Sequence, residues 1–489
     1  MKKQLLLLFI IIATVFVSYP QSVSKIKRDI FKFKNSKELK HAQWSVSAAF
    51  VKTGRAIISY RSNESLAPAS NLKLFTTSVA LNLLGENYRF KTSMYYDGFI
   101  TDDGVLKGNI YIAGGGDPTL GSNTVEGSLP LDSLMWTWTN AVIKLGIKKI
   151  EGKIVADASL FTGNSVPDDW NWVDIGNYYG AGTSALTIND NLYYLYFHPS
   201  VVVGEPAEVI RTVPEIPGLK FINHIKTGPE GSGDNGYIYC APGQFTATLR
   251  GTVPAGVSAF SIKGSIPDPP LFAAQYLSRF LQHYRITVTE DASEIHTPVK
   301  YDESKLIATT LSPELKDIVY MINKRSINLY TEQLLNTIAL KEKGIGDTET
   351  GIEVIKSFLD SVGIDTGGMQ LYDGCGLSRT DMITTGMMVK LLTFMSKQKV
   401  FGAFYNSLSV AGRAGDPGDF SKFGVNTLLA GNARIKSGLI TGVRSFSGYL
   451  KDKRGRLIAF SLIANNYSGQ RKRIDEIHKQ ILIDLAKLR

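Results

Sequence analysis

The sequence predicts an α/β (α+β) domain split by a long, mostly-β insertion. Three observations carry that prediction. Helical patterning appears near the N-terminal end and returns after about residue 300. The stretch from about Arg89 to about Val299 consists instead of short β-like runs broken by Gly, Pro and Asp. The chain closes on a strand, strand, helix pattern. With 489 residues, there is room for roughly three domains of about 150 residues each.

Taken in order, residues 1–20 read as a secretory signal peptide. Lys2 and Lys3 precede an apolar run from Leu5 to Val17, and a polar stretch with Pro20 follows. That run is short for a membrane span, which needs about 20 residues, so membrane contact is expected only if this segment stays uncleaved. Next, WSVSAAFVKTGRAIISYRS alternates around Thr53-Gly54 as a hairpin. A helix over NLKLFTTSVALNLL follows and stops at Gly85. Residues 89–162 and 251–299 are assigned to an inserted domain. The aromatic- and Gly-rich segment 163–250 is a sub-domain nested in it. Residues 21–88 and 300–489 then form the catalytic domain. Within it, Ser312 and Pro313 are expected to start a helix, and two helices flank Lys324–Asn328. At the C-terminus Ile474, Ile477, Ile481, Leu485 and Leu488 give the last helix one apolar face.

The 54 Lys+Arg against 44 Asp+Glu leave a net charge of +10, but the excess is spread along the chain without a basic run. No zinc-finger spacing, aromatic RNA-binding signature or Arg-rich helix accompanies it, so no nucleic-acid partner is expected. The six histidines are scattered, with neither an H-E-x-x-H nor a Cys/His cluster, so neither a metal nor another cofactor is expected. Two cysteines, Cys240 and Cys375, leave a single bridge open but exclude a disulfide framework.

The candidate chemistry lies in three short motifs. Ser70-Asn71-Leu72-Lys73 puts a hydroxyl and an amine one turn apart at a helix start, where a neutral lysine can deprotonate a serine. Alone, the spacing reads first as a helix N-cap, since Ser22…Lys25 and Ser396…Lys399 share it. Ser326-Ile327-Asn328 lies in the break between two helices, where a hydroxyl and an amide can face a cleft, though capping is the simpler reading. Lys436-Ser437-Gly438 stands on a strand and offers a cation, a hydroxyl and a glycine that permits close approach of a peptide. Two competing triplets, Lys52-Thr53-Gly54 and Lys226-Thr227-Gly228, read as surface turns.

The ordered set Ser-x-x-Lys, Ser-x-Asn and Lys-Ser/Thr-Gly before a C-terminal hairpin and helix is a penicillin-recognising serine-enzyme signature. Ser326 follows Ser70 by 256 residues, far more than compact β-lactamases have. The sequence resembles the D-alanyl-D-alanine carboxypeptidase/endopeptidase family, the low-molecular-mass class C penicillin-binding proteins. APASNLKLFTTSVAL, GGGDPTL, DWNWVDIGNYYGAGTSAL, YDGCGLSR and IKSGLITGVRSFSGYL extend the likeness over most of the mature chain. Ser437 stands where the family usually has Thr, and Cys375 where it usually has Ser.

The resemblance implies a β-lactamase-like serine transpeptidase fold and acyl transfer at a D-Ala-D-Ala bond. Ser70 would be the nucleophile, Lys73 its base, and Ser326, hydrogen-bonded to Lys73 in the family, the relay to the leaving amine. Asn328 would hold the substrate amide, Lys436 and Ser437 its terminal carboxylate. The N–H groups of Ser70 and of Leu439, the residue after Gly438, would form the oxyanion hole. Asp157, by the same analogy, would pair with the free amine of the stem peptide's diamino acid. The implied partners are peptidoglycan stem peptides, with β-lactams as inhibitors, at an exported, periplasmic or envelope location. A β-lactamase or esterase, or a non-catalytic wall-binding protein, are the alternatives. The large insert argues against the first, and the retained Ser70, Lys73, Ser326, Asn328 and Lys436 against the second.

Overall fold

The computed structural model describes residues 23–489; the expected signal peptide lies outside the described residues. The chain divides into two compact units. One comprises residues up to 83 together with 319–326 and 355–489, and the other 84–318 with 327–354. Residues 300–318 and 327–354, read from sequence with the catalytic domain, belong to the second unit.

The first unit is built on a six-stranded antiparallel sheet. Its strands run in the order Ser409–Val410, Arg434–Ile440, Val443–Lys451, Leu457–Asn465, Gln43–Phe50 and Ala56–Tyr60. The predicted hairpin is present, with Gly54 at φ +69° in its turn and a bulge at Ala48/Ala49. The central strands are buried along nearly their whole length, so they carry long apolar runs rather than a clean alternation. The C-terminal helix Arg471–Ala486 buries Ile474, Ile477, Ile481 and Leu485 in the core with Trp44, Phe446 and Phe460. A second helix, Thr385–Met395, packs on the strands Leu457–Asn465 and Gln43–Phe50. Thr384 caps it by accepting from the Met387 N–H at 3.0 Å.

The second unit holds four smaller sheets of three to five strands over one continuous core. It is less purely β than its Gly- and Pro-rich texture predicts, because helices Leu131–Lys144 and Pro269–His283 supply much of that core. Pro130 precedes the first, and Pro269-Pro270 open the second, where fixed φ suits the first turn. Asp268 caps the latter through the Leu271 N–H at 2.9 Å.

Two further expectations are corrected. The helix expected to start at Ser312 begins at Leu315, because the Ser312 hydroxyl accepts the Phe90 N–H at 2.9 Å and donates to the Pro313 carbonyl. Lys226-Thr227-Gly228 is the end of a strand, Lys220–Gly228, paired in parallel with Thr246–Pro254, and not a surface turn. Neither cysteine forms a disulfide, and both thiols are buried.

Candidate active site

Ser70 sits in a one-turn 3-10 helix, Ala69–Leu72, that feeds directly into the α-helix Lys73–Leu84. Gly85 ends that helix at φ +85°. Residues Lys73 to Leu81 are all buried, so Lys73 is held on a helix fixed from every side. Its Nζ donates to Ser70 Oγ at 3.1 Å and to the Cys375 carbonyl at 2.8 Å. The residue before the nucleophile, Ala69, is fully buried at φ +48°, a left-handed conformation that costs a non-glycine residue about 1 kcal/mol or more.

Two glycines let backbone close in on Ser70. A Cβ on Gly438 would lie 2.5 Å from the Pro68 carbonyl and 3.1 Å from the Ser70 nitrogen, so only glycine permits this strand to approach the nucleophile's N–H. Gly376, at φ +82°, makes a similar approach, with its Cβ position 3.1 Å from the Ser70 nitrogen. The loop carrying Gly376 is shaped by Asp373, which sequence reasoning missed. Its buried carboxylate accepts the N–H groups of Cys375, Gly376, Leu377 and Ser378 at 2.6–3.0 Å. That curl aims the Cys375 carbonyl at Lys73, and the Cys375 thiol itself is buried.

The strand Arg434–Ile440 supplies the other wall. Ser409–Val410 pairs only with Arg434 and Ile435, leaving Lys436 to Ile440 without a strand partner on that side among the described residues. An extended peptide can add to such an edge. Lys436 is buried, and its Nζ donates to Ser326 Oγ at 2.9 Å and to the Ser437 carbonyl at 2.8 Å. Burial first, then the charges of Lys73 and Arg444, push its ammonium well below the ordinary lysine range, while Asp419 opposes them. The Ser437 hydroxyl donates to Asp419 Oδ2 at 3.3 Å. Leu439 is partly exposed on the same strand. Ser326 stands in the break between helices Leu315–Arg325 and Asn328–Lys343 at φ +58°, a left-handed conformation for a non-glycine residue.

A family model described as the D-Ala-D-Ala carboxypeptidase 3 (S13) family matches residues 27–486. The chain belongs to that family. A D-alanyl-D-alanine carboxypeptidase of Actinomadura sp. (strain R39) is 28% identical over 91% of this chain and 82% of its own. The D-alanyl-D-alanine carboxypeptidase DacB of Haemophilus influenzae is 24% identical over 86% and 84%. The crystal structure of penicillin binding protein 4 (dacB) from H. influenzae covers 95% of this chain and 99% of its own at 22% identity, with a TM-score of 0.80. A structure of it with a novel β-lactam superposes at 0.76. The fold is therefore the penicillin-recognising one that the motifs implied, and the S13 chain is a serine-type D-Ala-D-Ala peptidase.

Of the residues singled out in this S13 sequence, Ser70, Lys73, Ser326 and Lys436 to Leu439 lie together in the first unit. Asn328 and Asp157 belong to the second. Asn328 opens its helix and its Nδ2 donates to the Tyr179 carbonyl at 2.7 Å. Asp157 is 5% exposed at the end of strand Ile154–Asp157; it accepts the Ser159 N–H at 2.9 Å and the Tyr301 hydroxyl. Asp373, Asp419 and Arg444 were not singled out. Arg444 ties its own strand, Val443–Lys451, to the last helix through Asp475 at 2.6 Å.

Proposed function

We propose that this protein hydrolyses D-Ala-D-Ala bonds and D-Ala-linked cross-links of peptidoglycan stem peptides through an acyl-enzyme on Ser70. The single observation that carries the assignment is the Lys73 amine at 3.1 Å from Ser70 Oγ, beneath a strand whose Gly438 reaches the Ser70 nitrogen. Lys73 takes the hydroxyl proton as Ser70 Oγ attacks the carbonyl carbon. Charge develops on the carbonyl oxygen, where the N–H groups of Ser70 and Leu439 receive it. Ser326 gives its hydroxyl proton to the leaving amine and takes up the proton held by Lys73, and the carbonyl carbon–nitrogen bond breaks as the acyl-enzyme forms. Lys436 Nζ, already on Ser326 Oγ at 2.9 Å, steadies that hydroxyl electrostatically. Water then releases the acyl group and regenerates Ser70.

The Lys436 and Ser437 side chains hold the substrate's terminal carboxylate, and Asn328 its amide. Asp157 pairs with the free amine of the diamino acid. Substrate adds along the open edge of Arg434–Ile440, and β-lactams acylate the same serine. The N-terminal Lys-Lys and apolar run support export to the periplasm or envelope; among the described residues no helix is long and apolar enough to cross a membrane. Incubation with a penicillin, followed by intact mass and peptide mapping, tests the assignment. A stoichiometric adduct on Ser70, lost in a folded Ser70→Ala variant, is expected. Persistent acylation of that variant at another serine refutes it.

A further inference from the structure

Asp419 places a carboxylate where the site is assigned to receive one. Its Oδ2 accepts the Ser437 hydroxyl at 3.3 Å, and its charge acts on the Lys436 ammonium. The Ser437 hydroxyl, assigned to a substrate carboxylate, therefore already meets a carboxylate of the protein itself, and that carboxylate's charge also reaches Lys436.

The backbone on either side of Asp419 is pinned. Gly418 donates its N–H to Asp416 Oδ1 at 3.0 Å, and a Cβ on Gly418 would collide with the Ser409 side chain. Asp416 in turn forms an ion pair with Lys324, both side chains almost wholly buried. On the other side Phe420 is buried in the core, stacked edge-on against Phe446 and Phe423, and its carbonyl accepts the Gly412 N–H at 2.9 Å. The Asp419 side chain is nevertheless exposed. A fixed backbone with an exposed side chain lets the carboxylate rotate off Ser437 without unpacking anything, while its charge stays close by.

We infer that Asp419 is a resident competitor at the carboxylate subsite, setting how strongly the enzyme accepts ligands with a free carboxylate beside the scissile amide. This rests on the assignment of Lys436 and Ser437 above. A ligand carboxylate must displace Asp419 from Ser437 and then sit near a like charge, which weakens binding before the chemical step. A ligand with that carboxylate blocked meets no such penalty. Asp419 is thus a specificity-determining residue that touches the subsite and takes no part in bond making.

The test compares Asp419→Asn and Asp419→Ala with the parent, using benzylpenicillin and its methyl ester, with second-order acylation of Ser70 followed by intact mass. The acid should acylate both variants about 5- to 20-fold faster. The ester should change less than about twofold, and on a D-Ala-D-Ala peptide the gain should appear in KM with kcat unchanged. Raising salt should narrow the difference for the acid, because the repulsion is solvent-exposed. Equal changes with acid and ester, or slower acylation by the acid, overturn the inference and make Asp419 a support for Ser437 instead. Failure of the parent itself to acylate at Ser70 would overturn the underlying assignment as well. That outcome is separable, because it is read before any variant is made.

Discussion

The two units solve burial differently. In the first, strands Val443–Lys451 and Leu457–Asn465 are buried on both faces. In the second, Glu208–Val213 and Lys220–Gly228 expose most of one face or more. A strand sandwiched on both sides has no solvent for a polar side chain, so each one present needs a partner. Ser445 donates to the Pro68 carbonyl, Ser447 to Ser461, and Lys436 to Ser326. Of these buried polar side chains Ser445 and Lys436 hold the elements around Ser70, whereas Ser45 and Ser47 on the same sheet are satisfied by Thr385, and polar residues on the half-exposed strands can meet solvent.

The sharpest way to break this comparison is to add one methyl group to each kind of strand. Gly438→Ala drives a Cβ into the Pro68 carbonyl, which is backbone and cannot rotate away. It should lower penicillin acylation about 100-fold or more while leaving far-UV circular dichroism intact, because it displaces the strand from the nucleophile. Gly236→Ala in the second unit meets side-chain methyls and no backbone, Ile262 Cδ1 at 3.1 Å and Cγ2 at 3.4 Å and Ile225 Cδ1 at 3.5 Å, and should alter acylation less than about twofold. A Gly438→Ala enzyme with unimpaired acylation would refute the close approach of strand and serine.

Acid should separate the two units more gently. In the first, buried His478 accepts the Trp44 Nε1–H at 3.2 Å, and burial lowers its imidazolium value from 6.5 to about 3. The unfolded chain therefore binds this proton below about pH 6.5 and the folded chain does not. Stability is lost as pH falls from 6.5 towards 3, by up to about 1.4 kcal/mol per pH unit. In the second unit, buried Asp117 is raised by burial to about 6, despite accepting from Thr119. Its contribution has the opposite sign. It is fully present below about pH 3.8 and is lost as pH rises from there to 6. Hydrogen exchange on peptides from each unit at pH 4 and 6.5 reads the two separately. His478→Gln should flatten the acid loss in the first unit, and Asp117→Asn the opposing slope in the second. Identical slopes in parent and variants would sink both assignments.

The same contrast explains what could be read from sequence. Ser70 and Lys73, an N-cap by their local spacing alone, became legible through order: Ser326-Ile327-Asn328 and then Lys436-Ser437-Gly438 follow them, the last on a strand before the closing hairpin and helix. Asp373 was not, since its four N–H partners come from a turn whose shape the carboxylate itself creates. Asp419 was hidden for a different reason: its partner lies 18 residues away, across the loop that brings Phe420 into the core. In the second unit, prolines that open helices at Pro130 and Pro269 read as loop punctuation. The parallel partner of Lys220–Gly228 starts at Thr246, so no hairpin signal announces that pairing.

The smallest expected effect concerns Asp157, the second unit's proposed contribution to specificity. Its carboxylate is 5% exposed and already accepts the Ser159 N–H and the Tyr301 hydroxyl. Tyr301 stacks on Tyr95 at 4.6 Å, so that hydroxyl is held in place by its ring. An amine recruited by Asp157 therefore shares the carboxylate with Tyr301 or displaces it, which limits the gain from the ion pair to about tenfold in selectivity. Asp157→Asn keeps an acceptor for the Ser159 N–H, so the melting temperature should move little. Acylation of Ser70 by penicillin, which carries no diamino acid, should be unchanged. The ratio of kcat/KM for peptides with and without the free diamino-acid amine should fall up to about tenfold, chiefly through KM. A ratio identical to the parent's would leave Asp157 as the anchor of Tyr301 alone, and would move the recognition of that amine elsewhere.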